Sequence, residues 1–161
     1  MVTAYLSLGS NIDPFYHLPV AVKALGACFC ALQLSPVYQS AAIGFQGDPF
    51  LNLVAAFETD LEPTVLQGML RALEDRHGRV RQCEPYSPRT LDIDLLLYGN
   101  QVSTCPILPR AEITRYAFVL KPLADLAPDL RHPITGVRYA DLWSAFDATD
   151  QPLWLVGLDF V

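Results

Sequence analysis

Two aspartates standing two residues apart inside an apolar segment constrain this chain more than any other feature. The segment reads Pro88-Arg89-Thr90-Leu91-Asp92-Ile93-Asp94-Leu95-Leu96-Leu97-Tyr98-Gly99. Its isoleucine- and leucine-rich tail, bounded by a proline and a glycine, predicts a buried strand. Residues two apart on a strand point to the same face. Asp92 and Asp94 therefore stand side by side, about 7 Å apart along the strand. Two carboxylates leaving an apolar strand together repel one another and resist burial. One resolution is the solvated face of an edge strand, with Arg89 or another base as partner. The other is a magnesium site, because that ion prefers one or two carboxylates, several waters and substrate phosphates over a closed protein cage.

Basic residues cluster beside the pair. Gly78-Arg79-Val80-Arg81 lies just upstream, and Arg89 precedes Asp92 by three positions, in a chain with only 11 Lys and Arg against 17 Asp and Glu. Arginine presents a planar fork of donors that matches phosphate oxygens. Surface ion pairs alone would contribute little. An acidic metal site next to arginines points instead to a polyphosphate substrate. No glycine-rich phosphate loop of either common pattern is present, which excludes a P-loop enzyme or a protein-kinase fold.

The 161 residues fit one domain, 1–161, with enough apolar content (52%, mean hydropathy +0.25) for a core without staples. A formal net charge of −6 and a pI near 4.8 argue against a nucleic-acid partner, which needs a broad basic surface. The arginine cluster remains compatible with a polyanionic ligand, because electrostatic focusing is local. No signal peptide is legible at the N-terminus, and no apolar run reaches the roughly 18 residues of a membrane span. A cytoplasmic monomer with no membrane partner is the expectation. The cysteines Cys28, Cys30, Cys83 and Cys105 form no C-x-x-C pair and read as reduced thiols. A zinc site from these with His17, His77 and His132 has no supporting spacing.

The pattern along the chain predicts a strand over 2–8 and a helix from Asp13-Pro14 towards Leu25-Gly26, which Pro19 should kink or shorten from the front. A strand follows over 29–37, a loop over 40–49 and a third strand over 50–59. Pro63 opens a second helix with Leu66, Met69, Leu70 and Leu73 on one face, stopped by Gly78. His77, in its last turn, suits the negative end of the helix dipole. With the aspartate strand the order is βαββαβ, the ferredoxin-like pattern of an α+β fold. Helical segments near 116–126 and 139–146 and a final strand over 153–158 complete it.

Several motifs together resemble the hydroxymethyldihydropterin pyrophosphokinase family of folate biosynthesis. They are Leu8-Gly9-Ser10-Asn11, Tyr38 with Gly44, Pro49-Phe50-Leu51-Asn52, Gly78-Arg79-Val80-Arg81, the block from Pro88 to Leu95, and Phe118-Val119-Leu120-Lys121-Pro122-Leu123 with Ala127-Pro128. The block from the arginines to the aspartates is the most specific of these. The resemblance implies transfer of pyrophosphate from ATP to the hydroxymethyl group of 6-hydroxymethyl-7,8-dihydropterin, with release of AMP. It implies that Asp92 and Asp94 hold two Mg2+ ions and that Arg79 and Arg89 contact phosphate. ATP would also meet Glu74, Arg81, Leu95 and Arg110. The pterin ring would lie between Phe50 and Phe118, its amide edge read by Asn52 and by the loop holding Ser40 and Ile43. Tyr86 falls in a loop that closes over the site. The implied catalysis is positioning plus electrostatics, with Arg79, Arg89, Asp92 and Asp94 as its catalytic set.

The chain departs from the family pattern in places. Arg110 follows Pro109 where a histidine is usual, Ala111 replaces a tyrosine, and Tyr116 replaces an arginine, with Arg115 one position early. Asp48 stands where glutamine is usual. These changes motivate a second reading, a diverged pterin- or nucleotide-binding paralogue with little turnover. A third, from the bare residues, is another metal-dependent phosphoryl or nucleotidyl transferase on the same fold. It leaves Phe50, Asn52 and Phe118 unexplained.

Overall fold

The computed structural model describes residues 1–43, 46–78 and 90–160. In chain order it contains β1 (Val2–Ser10), α1 (Pro14–Cys28), β2 (Cys30–Leu34), β3 (Val37–Ser40), β4 (Phe50–Thr59), α2 (Pro63–Arg76), β5 (Asp92–Tyr98), β6 (Ser103–Thr104), β7 (Ile107–Leu108), α3 (Glu112–Arg115), α4 (Ala117–Leu126), α5 (Tyr139–Ala145) and β8 (Leu153–Val156). The main sheet runs β5-β1-β4-β3-β8, with β2 also paired to β4, and its pairings are antiparallel. This is the expected α+β, ferredoxin-like arrangement with a C-terminal addition.

Helices cover both faces. On one, Leu18, Ala21, Val22 and Leu25 of α1 and Leu66, Leu70 and Leu73 of α2 pack on Leu6, Leu8, Leu53, Phe57, Ile93 and Leu95. On the other, Val119, Leu120 and Leu123 of α4, with Tyr139 of α5, pack on Val54, Leu96 and Leu97. The central strand β4 is thus buried on both sides, which is why its sequence is continuously apolar from Leu53 to Phe57 rather than alternating. Three leucines in a row on β5 have a related cause. The β1–β5 register shifts between Tyr5 and Leu6, so Leu95 faces the first layer while Leu96 and Leu97 both join the second.

Several local expectations need correction. The strand expected over 29–37 is two strands, because Pro36 has no N–H to continue the ladder. Ser35 bridges the gap: its backbone N–H donates to the Val54 carbonyl at 2.9 Å, and its hydroxyl accepts from the Val54 N–H at 2.8 Å. Pro19 does not shorten α1, which runs through it. The bond it removes would end on the carbonyl of Phe15, a residue in the exposed first turn, where the loss is least costly. Asp13 precedes Pro14 in the left-handed region (φ 45°) and makes no side-chain cap bond. Met69 is exposed, one position off the buried stripe of α2. Gly78 ends that helix at φ +76°, as expected of a glycine stop. The β6–β7 hairpin was not expected, and two-residue strands leave no periodicity to read. The final strand is shorter than 153–158 and forms a sheet edge against β3, with Leu155 exposed.

Candidate functional site

Strand register assembles the site. Gly9 of β1 pairs with Asp92 on one side and Asn52 on the other, and Asn52 pairs with Tyr38. Two residues along, Ser7 lies between Asp94 and Val54. Directly paired residues share a face, so these two rows lie together on one side of the sheet. Helix α4 covers the Val54 end of that side. At the Asp92 end a cavity of about 350 Å³ opens, lined by Ser7, Gly9, Ser40, Ile43, Phe50, Asn52, Asp92, Asp94, Arg110, Glu112, Arg115, Tyr116 and Phe118, among others. That volume lies in the usual range for a small-molecule pocket.

The polar groups at its floor are held in fixed orientations. The Asn52 amide nitrogen donates to the Tyr38 carbonyl at 3.2 Å and to the Ser40 hydroxyl at 2.9 Å, with both Asn52 and Ser40 buried. With its donors used, the amide turns its oxygen towards Gly9. A Cβ at position 9 would lie 3.3 Å from that oxygen and 3.8 Å from the Phe50 ring. Glycine here keeps the space between the amide oxygen and Asp92 open. Further along the row, the Tyr38 hydroxyl donates to Asp125, which also takes a 2.8 Å ion pair from Lys121. Burial and then Asp125 push the Tyr38 phenol above its ordinary pKa.

The loop and helix that complete the cavity are tied down as well. Asn11, next to Gly9-Ser10, donates from its amide to the Asp48 carbonyl at 3.1 Å, anchoring the chain that leads to Phe50. Gln151 accepts from the Ala117 N–H at 2.8 Å and donates to the Arg115 carbonyl at 3.1 Å. Those bonds flank Tyr116 at the start of α4, whose ring stacks on Phe118 with centroids 5.1 Å apart.

A second, smaller recess of about 130 Å³ adjoins the first, lined by Gln67, Leu70, Arg71, Glu74, Ile93, Asp94, Leu95 and Arg110. Asp94 and Arg110 line both. The Arg110 N–H donates to the Leu96 carbonyl at 3.1 Å, which fixes its backbone against β5. Its guanidinium forms a fork on Glu112, Nε to Oε2 at 3.1 Å and Nη2 to Oε1 at 3.3 Å. The same Nη2 lies 3.7 Å from Asp94 Oδ1. The arginine is therefore held between two carboxylates at the junction of the cavities.

Asp92, Asp94, Ser40, Ile43, Phe50, Asn52, Phe118 and Arg110 line one cavity, and Glu74, Leu95, Asp94 and Arg110 the other. Arg79, Arg81, Tyr86 and Arg89 lie outside the described residues. Arg115, one position early against the family pattern, still lines the first cavity, as does Tyr116. Sequence reasoning gave no role to Gly9, Glu112 or Gln151. Gly9 stood inside a quoted motif, but Glu112 and Gln151 carried no signal before their partners were known. One expectation is overturned nearby. Burial, with His17 adding to it, lowers the His77 pKa from the ordinary imidazole value, so the cation suited to the α2 dipole is disfavoured.

Fold and site together define an antiparallel α+β protein with a small-molecule cavity at one sheet end, joined through a carboxylate and an arginine to a polar recess. Known proteins narrow this. Residues 5–128 match the model of the 7,8-dihydro-6-hydroxymethylpterin-pyrophosphokinase (HPPK) family. The 2-amino-4-hydroxy-6-hydroxymethyldihydropteridine pyrophosphokinase of Pseudomonas aeruginosa is 43% identical over 135 residues, 80% of this chain and 83% of that one. The protein of the same name from Haemophilus influenzae is 37% identical over 139 residues, 83% and 86% of the two chains. A solved Plasmodium falciparum HPPK-DHPS structure with STZ-DHP has a TM-score of 0.70 at 11% identity, covering 89% of this chain and 43% of that one, a likeness of fold alone. The chain belongs to the 7,8-dihydro-6-hydroxymethylpterin-pyrophosphokinase family.

Proposed function

We propose that the two joined cavities carry out the family's reaction, transfer of pyrophosphate from ATP to the hydroxymethyl group of 6-hydroxymethyl-7,8-dihydropterin. The observation that carries this reading is the meeting of an aromatic cavity and a polar recess at Asp94 and Arg110. A planar pterin fits the first cavity, with Phe50 and Phe118 offering ring faces and the fixed Asn52 oxygen accepting from its N–H edge. Ser40 and Ile43 border that edge. The polyphosphate extends past Asp92 and Asp94 towards the recess, where Glu74, Leu95 and Arg110 meet the nucleotide.

The carboxylates fit magnesium: they rise on one face of β5 into a cavity with room for waters and phosphate oxygens. Asp92 and Asp94 would hold two such ions, which supply charge neutralisation on the polyphosphate. Arg110 binds phosphate as a cation that keeps its charge across the working pH range. The family resemblance adds Arg79, Arg81 and Arg89 as phosphate contacts and Tyr86 as part of a closing loop. The hydroxymethyl oxygen attacks the β-phosphorus, the bond from that phosphorus to the α,β-bridging oxygen breaks, AMP departs carrying that oxygen, and the hydroxyl proton passes to solvent. Arginine charge and substrate alignment lower the barrier without a protein nucleophile.

The departures in motif leave charge in place, since Arg110 and Arg115 both line the cavity. This favours turnover over a binding-only paralogue. The test supplies ATP, magnesium and hydroxymethyldihydropterin and follows AMP. AMP formed only when pterin is present supports the reading. Binding of both ligands without AMP, or AMP release that does not need pterin, overturns it.

A further inference from the structure

The helices on the opposite face of the sheet bring two histidines together. His17, in the first turn of α1, and His77, just beyond the last residue of α2, place their Nδ1 atoms 2.5 Å apart. The ring planes cross at 66°, and the Tyr16 ring meets His17 edge-on with centroids 5.1 Å apart. Both imidazoles are half-buried. They are 60 positions apart, so no spacing rule reveals the pair.

At that separation one Nδ1 carries a hydrogen and the other a lone pair, and protonating both would set two cations against each other. Burial, with His17 adding to it, lowers the His77 pKa and favours its neutral form. Converging neutral imidazoles are the form that ligates borderline divalent metals. We propose that His17 and His77 form a cross-helix site for a d-block divalent cation, separate from the carboxylates of the catalytic cavity.

Imidazole nitrogens lie about 2.0–2.1 Å from such metals, so two on one ion stand roughly 2.9–3.4 Å apart and the 2.5 Å pair must open to admit it. Nickel, which imidazole suits, serves as the probe. Among the described residues no group of three or more His, Cys, Asp or Glu is placed to hold a metal, so the proposed site rests on the two imidazoles. No proton need be released: the bridging hydrogen leaves Nδ1 of one ring and the same ring takes one up at Nε2.

The experiment is calorimetric titration of untagged protein with nickel chloride at neutral pH, with folding of each variant checked by thermal melting. The expected result is one ion per chain with micromolar affinity. His17→Asn and His77→Asn should each weaken it at least tenfold, while Cys28→Ser/Cys30→Ser leaves it unchanged. Equal affinity in the wild type and the histidine variants, or loss in the cysteine variant, would overturn the site. If either histidine variant fails to fold, the wild-type protein decides. Substoichiometric nickel should broaden the ring NMR signals of His17 and His77 together and first, and broadening of other residues instead rejects the proposal.

Discussion

The cavity around Asn52 is shaped by backbone register, whereas its junction with the recess, at Arg110, is held by side-chain ion pairs. In the first, Gly9, Asn52 and Tyr38 are fixed by strand pairing, and the amide is locked by two buried hydrogen bonds. In the second, the guanidinium sits between Glu112 and Asp94, both partly exposed to water. A register-built site is rigid before ligand arrives and is sensitive to added volume. An ion-pair site can exchange one carboxylate for a phosphate, so its energetics depend on which partner wins.

The largest effect should come from Asp94, the carboxylate that the two regions share. Asp94→Asn should lower turnover by roughly 10²–10³-fold or more, since it removes charge at both cavities at once. AMP release at saturating ATP and magnesium measures it, with a melting curve to confirm the fold. Asp92→Asn tests whether sharing matters. It lines only the larger cavity and should be damaging too, but a smaller loss for Asp94→Asn than for Asp92→Asn would show that the junction has no special role.

The next effect belongs to the register-built side. Asn52→Ala removes the fixed acceptor and leaves the Tyr38 carbonyl short of a donor. The pterin KM should rise roughly 10–100-fold, the equivalent of one hydrogen bond lost at a buried site. The ATP KM should change little. Equal rises in both would mean that the floor of the cavity has collapsed rather than lost a contact. Gly9→Ala is the milder version. Its new methyl would crowd the Asn52 oxygen at 3.3 Å, costing about 1 kcal/mol or fivefold in pterin affinity. Unchanged pterin affinity would place the ligand away from Gly9.

The same contrast explains what could be read from sequence. Asp92 and Asp94 were legible because strand alternation is a local rule, and the pattern 92, 94 needs no knowledge of the fold. Phe50, Asn52 and Phe118 were legible only through motif resemblance, since by residue type alone two phenylalanines are core and an asparagine is a turn residue. Gly9 became meaningful only when register put Asn52 on one side and Asp92 on the other. The Ser35–Val54 pairing that patches the strand break could not be foreseen, because the segment 29–37 reads as one strand and the partner lies on a different strand. His77 was misread for a related reason. Its place at a helix end is local information, but the burial that lowers its pKa, and the His17 imidazole that adds to it, come from tertiary packing.

The smallest expected effect concerns Glu112, on the ion-pair side. Its carboxylate holds Arg110 by two contacts of 3.1 and 3.3 Å. If it acts by aiming the guanidinium, Glu112→Gln should raise the ATP KM about twofold to threefold, in line with roughly 0.5 kcal/mol for a partly exposed pair, and leave the pterin KM and the melting temperature nearly unchanged. The double variant separates aiming from every other role. Arg110→Ala alone should weaken ATP, and adding Glu112→Gln to it should then do nothing more, because the group being aimed is gone. Additive losses would show that Glu112 meets the nucleotide or the fold by a route of its own, and the recess would no longer be an arginine site tuned by its neighbour.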